Sequence, residues 1–123
     1  MHVIINNSSM VPIYEQIMNQ FKASILSGEL IPDTMLPSVR VLSKDLKISA
    51  LTVKKAYDNL EQEGFTVTVH GKGTFVAATN KEIQKEELQK EVENDMEQVI
   101  LKGRRYGLTN EEIRDLFDLM MEE

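Results

Sequence analysis

Two helical patterns only three residues apart constrain this chain more than anything else in it. The first starts at Ser38, whose hydroxyl can cap a helix, and runs on with Val39, Leu42 and Leu46 as its apolar positions. Lys47-Ile48-Ser49 is a tight break. Ser49 is the natural cap of the second pattern, Ala50 to about Glu63, with Val53, Tyr57 (or Ala56) and Leu60 on its inner face and Gly64 as its stop. Helices joined by so short a connection form a helix-turn-helix. The period then changes. Phe65-Thr66-Val67-Thr68-Val69 alternates apolar and polar β-branched residues, the mark of a half-buried strand. Gly71-Lys72-Gly73 follows as a turn, and Thr74-Phe75-Val76-Ala77 as the returning strand. A helix-turn-helix followed by a hairpin is a winged helix.

The flanks complete the reading. His2 to Ile5 is a short β-like run. Ser8 or Ser9 can start a first helix with Pro12 in its first turn, Ile13, Ile17, Phe21 and Ile25 line one face, and Gly28 ends it. Beyond the junction Ala78-Thr79-Asn80, a long helix is expected from about Lys81 to Arg105, striped by Leu88, Val92, Met96, Val99 and Ile100. Thr109 and Glu112 form a capping box for a last helix, Asn110 to Met121, with Ile113, Leu116, Phe117 and Met120 on one face. The expected fold is therefore α+β, mostly α. Residues 1–78 form a winged helix-turn-helix domain, and residues 79–123 form a two-helix tail.

The segment His70-Gly71-Lys72-Gly73-Thr74 invites a nucleotide reading, which fails. A phosphate-binding Walker loop needs glycine five residues before its Gly-Lys pair and Ser/Thr after it, between a strand and a helix. Here Thr66 and Gly73 occupy those positions, and a strand follows. The hairpin explains the segment: the glycines permit positive φ, and Lys72 is expected at the exposed apex. His70 is better read as a phosphate contact than as a metal ligand, because the only other histidine is His2. No cysteine is present, which excludes disulfides and thiolate metal sites and fits a reducing cytoplasm. No apolar run approaches the roughly 20 residues of a membrane span, and no leader pattern opens the chain. Neither an enzyme constellation nor a cofactor motif is visible.

The net charge of −6 looks wrong for a nucleic-acid partner until it is located. Residues 1–79 hold seven basic and seven acidic side chains, so the tail carries the whole excess. Between Ser38 and Lys55 five basic residues face only Asp45. Local charge is what a partner meets.

The segments PIYEQI (12–17), ILSGEL (25–30), LPSVRVLSKDL (36–46), ISALTVKKAYDNLEQEGF (48–65) and HGKGTFVA (70–77) resemble, in order and spacing, the N-terminal domain of GntR-family transcriptional regulators. The short tail, with LKGRRYGLTNEEIRDLF (101–117), is similar to the YtrA-like branch, where two helices serve dimerisation. The resemblance implies double-stranded DNA as partner. It places Ser38 and Arg40 at the start of helix two, Ser49, Thr52 and Lys54 on the recognition helix, and Gly71 with Lys72 at the wing tip. It also points to transporter genes as targets.

Residue chemistry agrees. Helix N-termini offer N–H groups to phosphate, arginine suits bidentate contacts, and Lys54 and Lys55 lie away from the inner face or near its edge. Tyr14 and Tyr57 are read as core residues. Two departures matter: Ala50 and Leu51 stand where relatives often carry an arginine or asparagine arm, though either can meet a thymine methyl, and Asp33-Thr34-Met35 replaces the usual loop. Stripes without partners in the tail predict a homodimer through Leu88, Val92, Met96, Val99, Ile100, Ile113, Leu116, Phe117 and Met120. The expected function is a repressor on a palindromic operator, with any small-molecule effector unknown. The alternative is a winged-helix protein-interaction module without specific DNA binding.

Overall fold

A computed structural model describes residues 2–78 and 81–122, with the side chains of Lys81 and Ile83 excepted. The chain divides into two compact units, Met1–Lys81 and Glu82–Glu123. In the first, α1 (Ile13–Ser27), α2 (Val39–Leu46) and α3 (Ala50–Gln62) precede a two-stranded antiparallel sheet, β1 (Thr66–Val69) and β2 (Gly73–Val76). Two helices follow, α4 (Lys81–Arg105) and α5 (Asn110–Met121).

The first unit is built on α1 and α3. Ile17, Phe21 and Ile25 of α1 are buried as their spacing predicts, joined by Met18, and meet Val53, Ala56, Tyr57 and Leu60 of α3. Phe21 and Tyr57 pack edge to face, ring centroids 5.8 Å apart. Lys22 is buried beside them, its Nζ 2.6 Å from Glu63 Oε1, so the end of α3 is tied to the middle of α1.

Helix α1 starts later than the serines suggest. Asn6 Oδ1 accepts from Ser8 N and Ser9 Oγ accepts from Val11 N, so these side chains hold turns and the helix begins after Pro12. Nor is His2–Ile5 a strand. Gln20 receives Ile4 N at 2.8 Å and donates to Ile4 O at 2.6 Å, while Gln16 receives Asn6 N at 2.8 Å and donates to Asn6 O at 3.0 Å. Two glutamine amides thus do for this segment what a neighbouring strand would do.

The hairpin reverses the expected face. Alternation would turn the valines of β1 inward, yet Thr66 is buried and Val67 and Val69 are exposed. Thr66 pairs with Val76, the buried residue of β2, and Thr68 with Thr74, so one threonine face looks toward the helices. Val67 and Phe75 share the other face. Threonine and valine have nearly the same shape, and Thr66 turns in with its cross-strand partner Val76, which is fully buried. The cost is a hydroxyl: Thr66 Oγ1 is buried, with no hydrogen-bond partner among the described residues. Thr66→Val should therefore raise stability by about 1 kcal/mol, read as a higher urea midpoint for the winged-helix unit. An unchanged or lower midpoint would mean the hydroxyl is satisfied in solution.

The 33–36 loop forms a third rung on β2. Asp33 N donates to Val76 O, Val76 N to Thr34 O, and Leu36 N to Thr74 O, with Met35 bridging Phe75.

In the second unit the capping box is formed: Glu112 N donates to Thr109 Oγ1 at 3.1 Å and Thr109 N to Glu112 Oε1 at 3.0 Å. Hydrogen bonding from the Thr109 backbone N–H, and then from its hydroxyl, holds the Glu112 carboxyl below the usual carboxylate range. The helices are not wholly without partners, because Ile113 is buried and seats on Gly103. A Cβ at position 103 would lie 3.1 Å from Ile113 Cδ1, so this glycine, costly to a helix by propensity, opens the space α5 needs. Beside it lies a cavity of about 260 Å³ lined by Val99, Leu108, Ile113, Phe117 and Met120.

Candidate nucleic-acid interface

The helix-turn-helix forms because both serines cap as their positions suggest. Ser38 Oγ accepts from Val41 N at 3.1 Å, and Ser49 Oγ accepts from Leu51 N at 3.1 Å and Thr52 N at 3.4 Å. Between them Lys47 takes a left-handed conformation, φ 57°. Both serines remain exposed, so capping leaves their outer side open to a partner.

Two bonds draw the N-terminus of α2 against its neighbours. The Tyr57 hydroxyl donates to Pro37 O at 2.7 Å, and Leu36 N donates to Thr74 O at 2.8 Å. Leu42 N closes the first turn of α2 on Ser38 O. Burial pushes the Tyr57 pKa well up, so its proton stays in place for that bond. The segment leading into Ser38 and Arg40 is thereby fixed beside α3 and β2. Arg40 is exposed, and no side-chain partner for it appears among the described residues.

The recognition-helix residues are less free than their sequence suggests. Lys54 and Lys55 are exposed, but Lys54 Nζ is 2.7 Å from Asp58 Oδ2, and Lys55 Nζ lies 4.0 Å from the centre of the Tyr14 ring. Tyr57 is core, whereas Tyr14 is only half-buried and serves as the platform under Lys55. Thr52 is half-buried on the flank of the helix.

His70, Gly71 and Lys72 are exposed at the free end of the hairpin. Lys72 N donates to Val69 O at 2.9 Å, which makes His70 and Gly71 the central residues of the turn and places Lys72 fourth, just past the apex. Gly71 has φ +77°, the value a type II turn needs at its third position. No hydrogen bond or ion pair among the described residues ties these side chains to α2 or α3.

One residue that the motif reading did not count as a site residue stands out. Leu51, in the first turn of α3, is 78% exposed. The signal was available: Leu51 sits two positions before Val53, on the side of the helix opposite the buried stripe.

Among the described residues no group of three His, Cys, Asp or Glu side chains is placed to hold a metal, and no helix is long and apolar enough to cross a membrane.

The family described as bacterial regulatory proteins, gntR family, matches residues 13–76. The chain is 46% identical over 78 residues to the HTH-type transcriptional repressor NagR of Bacillus subtilis, covering 63% of this chain but only 32% of NagR. It is 34% identical over 111 residues to the HTH-type transcriptional repressor YtrA of the same organism, covering 90% of this chain and 85% of YtrA. Among solved structures, the AraR DNA-binding domain in complex with operator ORX1 is similar with a TM-score of 0.56 and 30% identity, over 63% of this chain and 96% of that one. These relatives are named regulators of transcription, not enzymes. The helix-turn-helix, its wing and the two following helices agree with the sequence matches, and the chain belongs to the gntR family of bacterial transcriptional regulators, in its short, YtrA-like form.

Proposed function

We propose that the protein binds a palindromic operator as a homodimer and represses transcription from it. Residues 1–78 meet the DNA and residues 79–123 pair the two copies. The observation that carries the reading is the exposed surface of the first unit, where Ser38, Arg40, Ser49 and the N-terminal turn of α3 stand open. The AraR domain solved on its operator supports DNA as what that surface meets. Ser49, Thr52, Lys54 and Lys55 enter or flank the major groove, Ser38 and Arg40 meet phosphate, and His70, Gly71 and Lys72 approach the neighbouring backbone.

The apolar surface of α4 and α5 supports the dimer. Val92, Met96 and Val99 are about half exposed and lie within one stripe of α4, and Leu116 and Met120 are exposed on α5. Half-site recognition by a single small domain offers few base contacts, and a two-fold pair doubles them. Repression follows the names of the relatives. Cytoplasmic location and transporter genes as targets rest on the family resemblance alone.

Selection from a random duplex library by the full-length chain tests this. An enriched inverted repeat, bound with an affinity that falls steeply with salt, is the expected result. Enrichment of no sequence, or of a single half-site, would overturn it.

A further inference from the structure

Helix α3 presents an unusual recognition surface. Val53, Ala56, Tyr57 and Leu60 turn inward, so at 100° per residue Leu51, Lys55, Asp58 and Gln62 look outward. At the N-terminal end, which enters a groove first, Ala50 has no arm. Lys54 is drawn toward Asp58, one turn further from that end, and Lys55 is held over the Tyr14 ring. Beside the short Ser49 and Thr52 hydroxyls, the large side chain that stands open there is Leu51, 78% exposed. It has no hydrogen-bonding atom, so it cannot read a donor or acceptor. The major groove offers one apolar group to such a side chain, the C5-methyl of thymine.

We propose that Leu51 is a specificity-determining residue that reads a thymine C5-methyl group in each half-site, selecting thymine over cytosine at that position by apolar contact. The inference rests on the proposed DNA-binding function. It predicts a specific chemical equivalence: 5-methylcytosine, which carries the same methyl, partly replaces thymine, and deoxyuridine, which lacks it, does not.

The test uses the full-length chain and a duplex chosen by the selection above. Each thymine is replaced in turn, symmetrically in the two half-sites, by deoxyuridine, and binding is followed by fluorescence anisotropy. One thymine pair should stand out. Losing one methyl contact is worth about fourfold in affinity, and losing both about fifteenfold. Leu51→Ala should bind the thymine duplex with a similar loss and no longer distinguish thymine from deoxyuridine at that pair. Because Leu51 is exposed, thermal unfolding of Leu51→Ala should match the parent, which separates a reading defect from misfolding. Indifference of the parent protein to every deoxyuridine replacement would overturn the proposal. So would a Leu51→Ala variant that keeps full discrimination. Both outcomes leave DNA binding itself intact, whereas binding to no duplex at all would overturn the DNA-binding function and this inference together.

Discussion

Val99→Glu should convert the protein from dimer to monomer at micromolar concentration, seen as a halved mass by light scattering. Val99 lies on α4 beside the cavity that Ile113, Phe117 and Met120 also line, with 56% of its surface open. In a single chain a glutamate there keeps its carboxylate in water, so helix content should hold. In a two-fold pair each copy brings a charge to the same apolar seam. Desolvating an ion costs several kcal/mol even after relaxation, so about 5 kcal/mol for the pair is a modest figure, on the order of 10³ in the dimer constant. Operator affinity should fall with it. Glu97→Lys, on the opposite side of α4 by helical geometry, is the control and should leave the mass unchanged. A dimeric Val99→Glu would place the interface elsewhere, and a monomeric parent would remove it.

Arg40→Ala should weaken operator binding about 100-fold with little change in thermal stability. The stability half follows from exposure: no described side chain leans on the guanidinium, and surface changes of that kind usually stay within about 0.5 kcal/mol. The affinity half follows from charge. A hydrogen bond to an ionised group contributes about 1.5 kcal/mol or more, and a dimer loses two of them. The slope of log affinity against log salt should also flatten by about 2 units, one phosphate per subunit. Lys54→Ala should do less, because Lys54 must leave Asp58 before it can meet phosphate. If Arg40→Ala bound as tightly as the parent, the N-terminus of α2 would not face the DNA.

Much of this was legible in the sequence because it is local. Ser38, Ser49 and Thr109 announce their helices by chemistry that acts within one turn, and the structure forms all three caps. What escaped was set by contacts across the chain. No local rule says that Lys55 settles over Tyr14, 41 residues away in sequence, or that the Thr66 face of β1 turns inward when valines flank it. Gly103 reads as a flaw in a helix until Ile113 is seen against it. The serines at 8 and 9 misled because the same side chains that cap helices also hold turns. The outward face of α3 was legible, Leu51 with it, whereas the ties of Lys54 and Lys55 that leave Leu51 so open were not.

The clamp by Gln16 and Gln20 has a consequence for how this segment tolerates sequence drift. Both amides bond to backbone atoms of Ile4 and Asn6, which every residue except proline supplies in full. The information is therefore stored on one side only. Positions 4 and 6 are free to vary as far as these bonds are concerned, while the two glutamines are not: shortening either to asparagine would withdraw the amide by one methylene and release the segment it holds.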